Sequence, residues 1–201
     1  MKYTREQIKD ATENMGYKYF TGYSYDVNII GVRNSETQNK VTNRFDDTLT
    51  LSYRDEQGDW QYHEFDCTTD PGTHWVENVM NKKGCAILKP GQYRRSHKIR
   101  KHLGKYEALG QQNEVCVYRD NNRDSNYDLL EENIDCGLFG INIHRASKYA
   151  GKKSTQIDRW SAGCQVIAAN DDWVKFMKIC RRARDNWGNN FTYTLLESKK
   201  I

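Results

Sequence analysis

Proline is almost missing from this chain, with two residues in 201. Only fourteen glycines stand beside them, so the composition excludes a linker-rich or disordered chain. No run approaches the roughly 18–20 apolar residues that a bilayer-spanning helix needs. The opening decapeptide MKYTREQIKD has neither an apolar core nor a small-residue cleavage site, so it does not read as a secretory leader. On that ground the chain is expected to be made in the cytosol without a signal peptide. None of the six cysteines, at 67, 85, 116, 136, 164 and 180, belongs to a Cys-x-x-Cys pair. That argues against a zinc knuckle or a thioredoxin-type site. A disulfide framework is not expected in a chain of this size without a leader, and Cys67, Cys85, Cys116 and Cys180 read as small core residues. Internal repeats, low-complexity tracts and linkers are also lacking.

What is present is aromatic. Thirteen Tyr and five Trp favour strands, and the length suits one domain with a core over about 25–198. Thr4 followed by Gln7 is a capping-box signal for a helix over 4–15. Strands are predicted at 27–32, 47–53 and 60–67, the last two joined at Asp55-Glu56-Gln57-Gly58 as a hairpin. Further strands are predicted at 85–88, 114–118, 137–144, 162–169 and 191–196. Trp173, Val174, Phe176, Met177 and Cys180 recur at helical spacing after Asn170, and Gly188 ends that helix. The sum is a strand-rich α+β fold with one helix near each end.

A cysteine nucleophile needs a base, oxyanion donors and a turn that presents the sulfur. Ser161-Ala162-Gly163-Cys164 supplies small residues and a glycine before Cys164, which leaves room for a substrate carbonyl. The N–H groups of Gly163 and Cys164 are the expected oxyanion donors. His144, closing the strand Phe139-Gly140-Ile141-Asn142-Ile143-His144, is the expected base. Asn142 alternates onto the same face and is a candidate pocket residue.

Ile143-His144, a 16-residue spacer and Ser161-Ala162-Gly163-Cys164 together resemble the L,D-transpeptidase catalytic domain family. Phe65-Asp66-Cys67-Thr68-Thr69 and Lys89-Pro90-Gly91-Gln92-Tyr93 resemble a strand and a Pro-Gly stretch upstream in that family. The chain has Arg145 where the family commonly has Gly, and Val166 where it commonly has Arg. The resemblance implies a β-sandwich or mixed sheet and acyl transfer on peptidoglycan stem peptides through a Cys164 thioester. His144 would take the thiol proton and pass it on, its second nitrogen held by a carbonyl, and Ser161 would hydrogen-bond within the site. Gln165, Arg145 or Arg159 would serve in place of the family arginine, with Asn142 and Tyr93 near the substrate. No cofactor is needed for that chemistry. Cross-linking, trimming and cleavage of cross-links all remain open. Without a leader, the implied setting is a phage lysin or a delivered effector acting at the cell wall or periplasm. The alternative is a non-catalytic structural or binding protein on the same fold.

Two other features stand out. Asp120, Asn122, Asp124, Asn126 and Asp128 alternate oxygens along one loop, a pattern that suits a structural calcium ion, with a solvated turn as the alternative. Residues 94–102 form a basic run that reads as a solvated strand face, with a grip on nucleic acid or on an anionic envelope polymer as the alternative. Given a net charge of only +4, nucleic acid is not the expected partner. Tyr93, Tyr106 and Trp160 are candidates for the wall of a peptide or glycan groove.

Overall fold

The computed structural model describes residues 1–201. In chain order its elements are α1 (Arg5–Asn14), β1 (Asn28–Arg33), β2 (Asp47–Arg54), β3 (Trp60–Thr68), α2 (Thr73–Glu77), β4 (Cys85–Leu88), β5 (Gly91–His102), β6 (Tyr106–Gln111), β7 (Val115–Asp120), β8 (Ile134–Gly137), β9 (Ile143–Arg145), β10 (Gln165–Ile167), α3 (Asn170–Trp187) and β11 (Phe191–Glu197). The strand-rich α+β architecture with a helix near each end is therefore observed. No helix is long and apolar enough to cross a membrane.

The sheet arrangement differs from the expected sandwich. Eight strands close into a barrel in the order β1-β11-β5-β6-β9-β10-β3-β2, and β4, β7 and β8 form a separate three-stranded sheet. The β1–β11 and β9–β10 pairs are parallel and the other ladders antiparallel, so the barrel is mixed. Closure leaves no unpaired edge in that sheet, which two stacked sheets would have kept.

β1 shows how the sequence places the layers. Its residues NIIGVR are all buried, because both faces are covered. Ile29 joins the main core with Leu49, Leu51 and Tyr193. Ile30 and Val32 face the other way and meet Ile8 and Ala11 of α1. The start of α1 carries the capping box, with Thr4 Oγ1 accepting from Gln7 N–H and Gln7 Oε1 accepting from Thr4 N–H. α3 buries Trp173, Phe176, Met177, Ile179, Cys180 and Ala183. Phe176 meets Phe65 of β3 edge-on, with ring centroids 6.0 Å apart.

Two expectations fail here. Residues 138–142 are not a strand; only Ile143–Arg145 pairs, leaving a looped strap between β8 and β9. Gln111 accounts for this. Its Oε1 accepts from the N–H groups of Phe139 and Ile141, and its Nε2 donates to Gly137 O. The strap is thus held mainly by buried side chains, Gln111 with help from His97 on Ile141 O, in place of a ladder. Second, Cys116 and Cys136 are disulfide-bonded. They face each other in the β7–β8 register, where the strand pairing itself brings the two sulfurs together. Cys67, Cys85 and Cys180 are buried free thiols, as expected.

Candidate active site

β9 and β10 run parallel and carry the two residues of interest. Val166 pairs with His144 and Gln165 with Ile143, which sets Cys164 one step before β10, opposite Asn142. The strap brackets its sulfur. The Cys164 Sγ–H donates to Gly140 O at 3.3 Å, and Sγ accepts from the Asn142 N–H at 3.4 Å. The sulfur makes these bonds in place of the expected one to His144. Both side chains nevertheless line a single cavity of about 1250 Å³.

The proton positions follow from the partners. His144 Nδ1 lies 2.9 Å from Arg145 O, and a carbonyl only accepts, so Nδ1 carries the proton and Nε2 is the basic nitrogen. The His102 ring stacks on His144 with centroids 4.4 Å apart and planes 23° apart. Asn142 Oδ1 accepts from the Gln111 N–H, which fixes the amide so that Nδ2 donates to His102 Nδ1 at 3.2 Å. Asn142 therefore joins Cys164, through its backbone, to His102, through its side chain.

Burial governs the electrostatics. It pushes the Cys164 thiol up to about 11, while the Asn142 N–H pulls the other way. Burial pushes His144 down to about 4, with His102 adding to the fall and the bond to the Arg145 carbonyl opposing it. His102 is also lowered, by burial and then by Arg100. At neutral pH thiol and imidazole are both uncharged.

The Ser161-to-Cys164 turn is held by Ser161 itself. Its Oγ donates to Cys164 O at 2.7 Å and accepts from the Gly163 N–H at 3.1 Å. That second bond corrects the expected oxyanion pair. The Gly163 N–H is already engaged, whereas the Cys164 N–H has no partner and is the donor left for a developing oxyanion. Gly163 has φ +123°, and a Cβ there would run into the Ala86 carbonyl, so only glycine fits.

The expected substrate residues divide. Arg145, Arg159 and Asn142 line the cavity, as do Tyr106 and Trp160. Tyr93 does not; its hydroxyl donates to Lys89 O at 2.6 Å, outside the cavity. Gln165 also fails as a substrate contact. It is buried behind the turn, where Nε2 donates to Gly163 O and Oε1 accepts from Tyr193 OH. Behind it, Arg33 meets Asp70 at 2.8 Å, and Asp47 Oδ2 accepts from the Thr69 N–H and hydroxyl. Val166 is fully buried among Phe45, Ala146, Ile157 and Ala168, where an arginine would be an unpaired charge in an apolar cluster. Arg145 instead carries a guanidinium into the cavity, 4.2 Å from the centroid of Tyr106, with Nη1 donating to Asn170 Oδ1.

Sequence reasoning missed His102 and Gln111. Each sits on a barrel strand far upstream of Cys164, and only the β5–β6–β9 pairing brings them to the site. In the 120–128 loop, Asn122 Oδ1 accepts from the Asp124 N–H while Nδ2 donates to Asp124 and Asp128. Asp124 Oδ1 accepts from the Asn126 N–H, and Asp120 Oδ1 from the Asn122 N–H. The loop's side chains are thus bonded to one another and to their own backbone. No three His, Cys, Asp or Glu side chains converge as a metal group. Searches against family models, curated proteins and solved structures find no match for this chain.

Proposed function

We propose that this chain is a cysteine acyltransferase or hydrolase of the L,D-transpeptidase type, acting on peptidoglycan stem peptides. The observation that carries the reading is the cavity shared by Cys164 and by a His144 whose Nε2 is left free to accept a proton. The Pro-Gly and Ser-x-Gly-Cys resemblances supply the substrate class.

In this reading, substrate enters and displaces the Sγ–H bond to Gly140. His144 Nε2 takes the thiol proton as sulfur attacks the carbonyl beside the bond to D-Ala. The oxyanion rests on the Cys164 N–H. Collapse breaks the C–N bond, His144 returns the proton to the leaving amine, and a thioester remains on Cys164. An amine acceptor then gives a cross-link, and water gives hydrolysis. His102, stacked on His144, disfavours its imidazolium, so that ion readily returns its proton to the leaving amine. The Cys116–Cys136 disulfide fits a site of action in an oxidising compartment.

The test is incubation with purified peptidoglycan and mass spectrometry of the muropeptides. Wild type should change the stem peptides and carry an acyl adduct on Cys164, and Cys164→Ala and His144→Ala should do neither. Identical products from wild type and Cys164→Ala would leave a non-catalytic protein.

A further inference from the structure

The cavity around Cys164 is lined by 26 residues, of which five are Lys or Arg and none is Asp or Glu. The chain as a whole is nearly balanced, with 31 basic and 27 acidic residues, so composition does not explain an acid-free wall. Elsewhere ten of the other 26 Lys and Arg side chains pair with a carboxylate. Arg119, on this same wall, is paired with Asp135 at 3.1 Å. Lys105, Arg145, Lys148 and Arg159 make no ion pair. None of them meets a carboxylate: Arg145 has an aromatic ring and the Asn170 amide, and Lys148 an aromatic ring. Arg145 lies over Tyr106, and Lys148 Nζ is 5.1 Å from the Tyr149 centroid. Lys105, Lys148 and Arg159 are exposed and Arg145 is half-buried, so all four cations stand open to an anionic occupant that supplies the carboxylates this wall lacks.

The remaining wall gives the shape of the occupant. Trp75, Tyr106, Tyr149 and Trp160 present aromatic surface, with Tyr149 63% and Trp160 46% exposed. Leu138 and Met80, 67% and 71% exposed, extend the apolar rim. Apolar faces interleaved with guanidinium and ammonium groups match a peptide backbone that carries acidic side groups. Arg145, flattened on Tyr106 and tied to Asn170, is the pre-oriented member, able to hold a carboxylate with two parallel bonds.

We propose that this cavity selects an acyl donor bearing at least two free carboxylates, with Arg145 binding the one nearest the reacting carbonyl, and that donors with amidated carboxylates are discriminated against. The inference rests on the acyl-transfer reading only for the peptide nature of the ligand; the anion preference belongs to the wall itself.

The test separates the two. Cys164→Ala protein is titrated, by the fluorescence of its tryptophans, with two stem tetrapeptides of the same sequence. One has its carboxylates free and the other has them as carboxamides. The free acid should bind about tenfold more tightly at low salt, a difference of about 1.4 kcal/mol, and the gap should narrow at high salt. Arg145→Gln should remove most of the preference, and the pair of peptides gives the answer even if that variant folds poorly. Equal binding of the two peptides, or competition by inorganic phosphate as strong as by the free acid, overturns the proposal. In wild type, a thioester formed equally from both peptides would overturn it while leaving acyl transfer standing. Tight, selective binding with no thioester would do the reverse.

Discussion

At neutral pH Cys164 keeps its proton, at about 11, and His144 stays unprotonated, at about 4. The direction of each follows from burial, which disfavours the thiolate and the imidazolium alike. The thiol's hydrogen bond to Gly140 O reinforces this, because only the S–H form can donate. Activation therefore waits for a substrate to displace that bond. The expected consequence is measurable without substrate: alkylation of Cys164 by iodoacetamide should climb steadily from pH 6 to 10, tracking the small thiolate fraction. A plateau already reached below pH 8 would mean a standing thiolate–imidazolium pair, contrary to this description. At this scale Cys164 could be singled out because Ser161, Ala162 and Gly163 mark a turn before it, and His144 because it closes an apolar run. His102 was not, since nothing in the run from Arg94 to His102 says which of its side chains turns inward.

The strap at 138–142 is the element that turns two strand ends into a site. It contributes Gly140 O and Asn142 N–H to the sulfur and the Asn142 side chain to His102. It hangs from Gln111 and from His97, whose Nε2 donates to Ile141 O at 2.9 Å. It leaves directly from β8, which the Cys116–Cys136 disulfide clamps to β7. Reduction of that bond frees a loop closed over 20 positions, with an expected loss of about 3 kcal/mol by the chain-entropy relation. For a domain of this size that is a fall in Tm of roughly 6–12 °C. Thermal melts with and without reductant check it, and Cys136→Ser should melt with the reduced protein. An unchanged Tm would show that the clamp is dispensable.

Elements with a local signature were legible: the capped α1, the β2–β3 hairpin and the amphipathic α3 all stand close to their expected places. The strap was not. Its apolar residues 137–144 look like a strand, and only a buried glutamine from β6, bonding three of its backbone groups, explains why it is not one. The disulfide was hidden for a similar reason, because a 20-residue separation carries no hint of a cross-strand register.

The molecule as a whole buries an odd number of charges behind the site. Arg33 is the sole cation between Asp47 and Asp70; Arg33 and Asp47 are buried and Asp70 is largely so. Burial first, and then the charge of Asp70, pushes Asp47 up to about 7; Asp70 is raised as well, by burial and against the pull of Arg33. The folded protein thus holds a proton that the unfolded chain releases near pH 4. Stability from this group is complete below the unfolded value and is lost as pH rises through about 7. Tm should fall between pH 5 and 8, and Asp47→Asn should flatten that slope. A Tm that rises over the same window would contradict the buried-proton assignment.

The barrel is shut by a parallel pair between β1 and β11, the first and last strands in the chain. On the ribosome, this means that His102, His144 and Cys164 are all added before β11, the strand that closes the barrel. Cys164 is added only after 163 of the 201 residues, so the sulfur and the closing strand join the chain close together. The barrel that holds β9 and β10 in register can therefore close only once β11 has been made.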